Sequence, residues 1–157
     1  MKLNFGGGTK KLKGYVNIDN NPNVKPDILA DLMEPLPFED NSVDEILCWN
    51  VMEHLPGLGP LNLLKEVYRI LKPGGKFKFR VPMACTMTAH IVIDHVSQFT
   101  PRSFESKPLY GYKFKRNIKV TLPIFHFLKF PEWCFYVNYV FPLFTGIEGT
   151  IIKEELK

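Results

Sequence analysis

Cysteine is scarce in this chain. Cys48, Cys85 and Cys134 stand far apart and are odd in number. That excludes a disulfide framework and a paired zinc spacing, and a reducing compartment is the simplest reading. No set of metal ligands is read anywhere in the sequence. A membrane-spanning run is also missing. The charge-free stretch Trp133 to Ile147 holds 15 residues, short of the ~20 needed to cross a bilayer, and Pro142 interrupts it. The opening Met1-Lys2-Leu3-Asn4 carries no apolar leader, so the expectation is a cytoplasmic protein. Nor does one sign of charge dominate: 20 Lys and Arg face 16 Asp and Glu, a net charge of +4. Solubility accounts for that balance. The runs Lys10-Lys11-Leu12-Lys13 and Lys113-Phe114-Lys115-Arg116 read as solvated faces more readily than as anion sites. No internal repeat is present.

What the chain does have is a globular composition, 45% hydrophobic and 23% charged, with 13 Phe and 13 Pro. Its 157 residues suit one domain, 1–157, with a real core. Leu3-Asn4-Phe5 reads as a strand that runs directly into Gly6-Gly7-Gly8, and Tyr15-Val16-Asn17-Ile18 reads as a second, closed by Asp19. Glycine lets a backbone approach a ligand, and a carboxylate after the next strand accepts from ribose hydroxyls. Only ten residues separate Gly8 from Asp19. A helical crossover does not fit there, so Thr9 to Gly14 is expected to be a tight loop, with one face of the sheet uncovered beside it.

Strand-like runs occupy Lys2–Phe5, Tyr15–Ile18, Asp27–Ala30, Val43–Cys48 and Lys76–Val81. Between the last two, Leu61, Leu64, Val67, Tyr68 and Leu71 make the stripe of an amphipathic helix. Pro60 suits its first turn and Pro73-Gly74-Gly75 its end. Strand–helix–strand order predicts a parallel sheet with right-handed crossovers. Further on, Thr100-Pro101-Arg102-Ser103-Phe104-Glu105 reads as a capped helix start. Tyr112 to Val120 alternates like a half-exposed strand, and Gly149 to Leu156 offers a last strand. Pro123 to Thr145 is aromatic and apolar, cut by Pro123, Pro131 and Pro142. Leaving that much apolar surface in water is costly, so a cap over the acceptor site, a sheet cover, a dimer contact or a lipid surface is expected of it.

Taken in order, these pieces resemble the class I S-adenosylmethionine-dependent methyltransferases, over about Lys2 to Pro82 with a looser tail to Phe104. Asn4-Phe5-Gly6-Gly7-Gly8 resembles the family's acid-x-Gly-x-Gly loop, Asp19 its ribose-binding acid, and Ala30-Asp31-Leu32 with Leu36-Pro37-Phe38 its adenine-side loop. Val43 to Leu55, with Cys48-Trp49-Asn50 and Glu53-His54, resembles the fourth strand and its exit. Leu71-Lys72-Pro73-Gly74-Gly75-Lys76 resembles the turn before the fifth. A branch with a shortened first crossover is the nearest pattern.

The resemblance implies a Rossmann-like α/β fold: a mostly parallel sheet of about seven strands flanked by helices, the first crossover helix missing and the last strand antiparallel. Residues 1–82 would form the cofactor-binding half and 83–157 the acceptor side, with the apolar segment 123–145. It implies S-adenosylmethionine as cofactor, held by Asn4, Gly6, Gly7, Gly8, Asp19, Asn20, Asp31, Leu32, Trp49, Asn50 and His54. The implied reaction is in-line methyl transfer to a small-molecule, glycan or lipid-linked acceptor, with O-methylation expected. Holding donor and acceptor in line is worth up to ~7–11 kcal/mol, and a dry site favours a transition state in which charge falls. A hydroxyl acceptor also needs a base. His95, preceded by Asp94 in the segment after the fifth strand, is the candidate. Glu53 with His54 reads as a loop tie, and His90 and His126 as core histidines. A homodimer or membrane-surface contact through 123–145 is a further expectation, and nucleic acid is not expected as a partner. Two other readings stand beside this one. A non-catalytic cofactor-binding module is suggested by Asn4 in place of the acid and Lys10 in place of a third glycine. A nucleic-acid methyltransferase is disfavoured, because Cys48-Trp49-Asn50 stands where an Asn-Pro-Pro-Tyr or Asp-Pro-Pro-Tyr run would.

Overall fold

Seven strands form one sheet in the computed structural model, which describes residues 1–84, 86, 89–90, 92–105, 112, 114–121 and 146–154. The strands are β1 (Lys2–Phe5), β2 (Val16–Asp19), β3 (Ile28–Leu29), β4 (Val43–Trp49), β5 (Leu71–Val81), β6 (Phe114–Thr121) and β7 (Gly146–Lys153). Their spatial order is β3-β2-β1-β4-β5-β7-β6. The first five are parallel, and β7 runs antiparallel to both β5 and β6. The mostly parallel sheet with an antiparallel last strand, expected from the sequence, is present.

The helix α1 (Gly59–Ile70) connects β4 to β5. Pro60 sits in its first turn, where a missing N–H costs nothing. Its fully buried side chains include Leu63, Val67 and Ile70, while Leu61 and Tyr68 are half-buried against the core. The apolar stripe therefore turns slightly from the one read in the sequence. Leu71 is already the first residue of β5 and pairs with Val43, and the ladder resumes at Glu45 opposite Lys76. Lys72-Pro73-Gly74-Gly75 thus forms a bulge inside the strand rather than a turn before it, with Gly74 at φ +78° in the left-handed region that glycine tolerates.

Thr9 to Gly14 holds no helix, as its length requires, and the crossovers from β2 to β3 and from β3 to β4 hold no α-helix either. The sheet is accordingly two-faced. Side chains alternate along a strand. Leu3, Phe5, Ile46, Cys48, Phe77, Phe79, Val81, Ile147 and Ile151 share one face and pack into a single core with α1. Phe104, from the 3-10 turn Pro101–Glu105, completes it, its ring centroid 4.3 Å from that of Phe79. The other face carries Lys2, Asn4, Glu45, Leu47, Trp49, Lys78, Arg80, Asn117, Lys119, Glu148 and Thr150. Polar contacts knit it together: Tyr15 Oη donates to Glu45, Lys78 Nζ lies 2.8 Å from Glu45 Oε2, and Asn4 Nδ2 donates to Asn17 Oδ1 at 2.8 Å.

Two ties fix the periphery. Arg69 on α1 donates to Glu66, Asp40 and the carbonyls of Phe38 and Leu36, at 2.5–3.2 Å. Lys153 on β7 is buried and donates to Asn41 Oδ1 and to the carbonyls of Tyr68 and Leu71, at 2.7, 2.7 and 2.9 Å. The segment 123–145, with His126, lies outside the described residues, as do Cys85 and Cys134.

Candidate active site

The chain runs outward from β1 through β2 to β3, then crosses back to β4 and β5. A reversal of this kind leaves a crevice at the carboxyl ends of the strands, between β1 and β4, where open α/β sheets receive ligands. A cleft of ≈ 330 Å³ lies there, lined by Gly6, Asp19, Asn20, Ala30, Asp31, Leu32, Asn50, Val51, His54 and Leu55.

Each wall has a local reason for its shape. Gly6 leaves β1 at φ +60°, and a Cβ built on it would stand 2.4 Å from Val51 Cγ2. Only glycine lets the exits of β1 and β4 meet this closely. Gly8 N donates to Asp19 Oδ2 at 3.0 Å, and Asn21 N donates to Asp19 Oδ1 at 3.0 Å. One carboxylate at the end of β2 therefore holds the glycine loop on one side and its own turn on the other. Asp31 Oδ1 accepts from Met33 N at 2.9 Å, an Asx-type turn. Asn50 takes φ +56°, a left-handed conformation that asparagine enters more readily than most residues.

Of the cofactor-site residues expected from the sequence, Gly6, Asp19, Asn20, Asp31, Leu32, Asn50 and His54 line one cleft. Gly8 supports it through Asp19. Gly7 stands behind it: a Cβ there would meet Asn4 Nδ2 at 2.5 Å. Asn4 is buried and spends its amide on Asn17, whose own Nδ2 donates to Asp27 Oδ2 at 2.9 Å. That chain of polar contacts on the second sheet face locks β1, β2 and the entry to β3, so Asn4 acts on the cleft through the backbone. Trp49 departs most. Strand alternation carries it to the second face, 60% exposed, where it borders a separate ≈ 250 Å³ depression with Lys78, Asn117, Lys119 and Glu148. Ala30, Val51 and Leu55, which lie in the motif segments but are not among the expected cofactor contacts, line the cleft too, and small apolar side chains carry no signal separating a cleft wall from a core.

Beside the cleft, Glu53, His54 and His95 cluster, with donor atoms that all lie within 4.8 Å of one another. Glu53 is fully buried, and neither carboxylate oxygen has a hydrogen-bond partner among the described residues. Burial pushes its carboxyl above the usual range because the charged form is desolvated. The nearby Cys48 thiol is pushed up as well, by burial first and by Glu53 second. The Glu53 carbonyl accepts from Val96 N and Ser97 N, both at 2.9 Å, which ties the β4 exit to the segment after β5. Asp94 faces His54 here: its Oδ2 lies 3.2 Å from His54 Nδ1, and its carbonyl also 3.2 Å from that atom. The His54 and His95 rings meet edge to face at 4.9 Å, and His95 Nδ1 is buried with no partner among the described residues. His90 is exposed rather than in the core, with Nε2 2.7 Å from the Ala84 carbonyl oxygen.

The protein family described as a methyltransferase domain matches residues 10–79. An uncharacterized protein of Methanocaldococcus jannaschii is 54% identical over 41 residues, a stretch that spans 26% of this chain and 17% of that relative. Among solved structures, an S-adenosylmethionine-dependent methyltransferase from Archaeoglobus fulgidus superposes with a TM-score of 0.69 at 17% identity, over 98% of this chain and 85% of that one. A phosphoethanolamine N-methyltransferase of Haemonchus contortus, solved with S-adenosylhomocysteine, gives a TM-score of 0.71 at 16% identity over 98% of this chain and 48% of its own. With this sheet order and a cleft at the β1/β4 reversal, the chain has the fold of S-adenosylmethionine-dependent methyltransferases, and its residues 10–79, from the loop after β1 into β5, are similar to the methyltransferase domain family.

Proposed function

We propose that this chain binds S-adenosylmethionine in the cleft at the ends of β1 to β4 and transfers its methyl group to a small-molecule, sugar or lipid-linked acceptor. One observation carries the reading: Asp19, at the end of β2, is fixed by the backbone amides of Gly8 and Asn21 and lines the same cleft as Gly6, Asp31 and Asn50. Each carboxylate oxygen accepts more than one hydrogen bond, so Asp19 retains lone pairs for the two ribose hydroxyls. Asp31 takes the adenine amino group, Ala30 and Leu32 flank the ring, and Asn50, Val51, His54 and Leu55 receive the methionine end.

His54 lines the cleft and contacts Asp94 of the segment after β5, and the His95 ring meets it edge to face at 4.9 Å. For a hydroxyl acceptor, the His95 imidazole beside His54 is the base that removes the proton as the methyl moves in line from sulfur to oxygen. Asp94 holds the His54 ring in place through Nδ1.

Calorimetry with S-adenosylmethionine and S-adenosylhomocysteine tests the cofactor. Micromolar binding of either supports the reading, and no heat from either at millimolar concentration overturns it. Asp19→Asn removes a charged acceptor, a contact worth ~1.5–3 kcal/mol, so its affinity is expected to fall by roughly ten- to a hundredfold. Transfer from radiolabelled cofactor into fractionated cell extract then identifies the acceptor, and His95→Gln is expected to lower turnover on it by ~100-fold or more.

A further inference from the structure

We infer that Glu53, His54 and His95 form a binding site for a divalent transition-metal ion at the edge of the cleft. Two imidazoles and one carboxylate converge, with donor atoms within 4.8 Å of one another. Donors that share one cation through bonds of about 2.0–2.2 Å stand roughly 3–4 Å apart, so small side-chain rotations close the remaining distance. The cluster also leaves hydrogen-bonding capacity unused. A buried carboxylate normally has hydrogen-bond partners or a counter-charge, yet both Glu53 oxygens lack a partner among the described residues, and so does His95 Nδ1. A cation supplies what all three atoms miss.

The surroundings fit the same ion. Asp94 accepts from His54 Nδ1, which fixes the tautomer and leaves Nε2 as the ligating atom, the usual outer partner of a metal-bound histidine. His54 lines the cleft and gives the ion a route in. The N₂O donor set favours Zn²⁺, Mn²⁺, Fe²⁺ or Co²⁺ over Mg²⁺ and Ca²⁺, which prefer oxygen ligands. Three protein ligands leave positions for water or for an acceptor oxygen. An acceptor hydroxyl bound there has its pKa lowered by the cation, which replaces His95 in the task of loosening that proton. Ion binding itself does not depend on the methyl-transfer reading.

Co²⁺ titration of the purified full chain, followed by visible absorption and by Zn²⁺ competition, measures the site. One ion per chain is expected. Glu53→Gln and His54→Gln are expected to weaken binding at least tenfold, and Asp94→Asn by roughly 10–100-fold through the orientation of His54. Should a variant fail to fold, the wild-type protein carries its own readout. Zn²⁺ is expected to shift the imidazole nitrogen resonances of His54 and His95 and leave those of His90 in place. No saturable binding, binding unchanged in the variants, or shifts confined to other histidines overturns the site. Calorimetry with S-adenosylmethionine in chelator tests the cofactor reading separately, so either can fail alone.

Discussion

Gly6 occupies a position where two constraints coincide: a left-handed φ of +60° and a Val51 methyl 2.4 Å from where a Cβ would be. Gly6→Ala meets both, and a loss of ~2–4 kcal/mol is expected from the strained backbone and the overpacking together, read as a lower urea midpoint. Adding Val51→Ala relieves the contact but not the φ, so about 1–3 kcal/mol of the loss should persist. Residues of this kind were readable in advance, because a glycine triplet after a strand and an acid after the next have few other uses. Asp19, Asp31 and Asn50 were legible for the same reason. Trp49 was not. Its position at the strand end is visible in sequence, but which face it takes depends on the register of β4 against β1, where Cys48 opposes Phe5 and Trp49 falls to the other side. The cluster of Glu53 and His54 with His95 was invisible as a metal set for a similar reason: His95 is brought to the β4 exit by tertiary hydrogen bonds from Val96 and Ser97, and no spacing rule spans that loop.

The loop between β3 and β4 does a helix's work without being one. It carries Asp31 and Leu32 into the cleft and is anchored at its far end by the Arg69 fork on α1, with Glu66 also accepting from Leu36 N at 2.8 Å. Arg69 holds the Glu66 carboxyl below its usual range. Lysine keeps the charge but loses the planar fork. Arg69→Lys is therefore expected to cost about 1–3 kcal/mol in chemical unfolding and to weaken S-adenosylmethionine binding severalfold by loosening the adenine-side wall. Gln in the same position should do both more strongly. α1 itself was legible from its period and its Pro60 start. Its far end was not, since Leu71 passes directly from helix to strand and the Pro73-Gly74-Gly75 run, a stop signal in isolation, became a bulge within β5. The two-residue β3 is too short to show any period.

A parallel sheet is usually covered on both faces, whereas the described part of this one has a core on one face and a charged, hydrogen-bonded surface on the other. That surface responds to acid. Asp27 is lowered to about 2, chiefly by the Asn17 amide and side chain and then by Lys11. Asp44, at the start of β4, is lowered to about 2 chiefly by Lys72. Burial alone would raise Glu45, but Lys78 and Tyr15 outweigh it and lower it. Carboxyls whose folded pKa lies below the unfolded value stabilise the native state above that value, near 4, and lose the contribution as pH falls toward 2. Through these carboxyls the melting temperature is expected to drop as pH falls from about 4 to 2, while Glu53, raised by burial, favours the native state more as pH falls toward its unfolded value near 4. Asp27→Asn should flatten part of that drop. The sequence foretold an open face only beside the missing first helix. Its extent follows from three successive crossovers without an α-helix, which no single segment announces. β7 lies between β5 and β6 although it follows both in the chain, and Lys153 bolts it to the junction of α1 and β5. Until β7 arrives, β6 has no strand to pair with and β5 presents a bare edge, with Phe77 waiting for Ile151. Closing contacts that distant in sequence is slow. A chain without β7 is therefore expected to expose the β5 edge to strand pairing, read as faster proteolysis than that of the full chain.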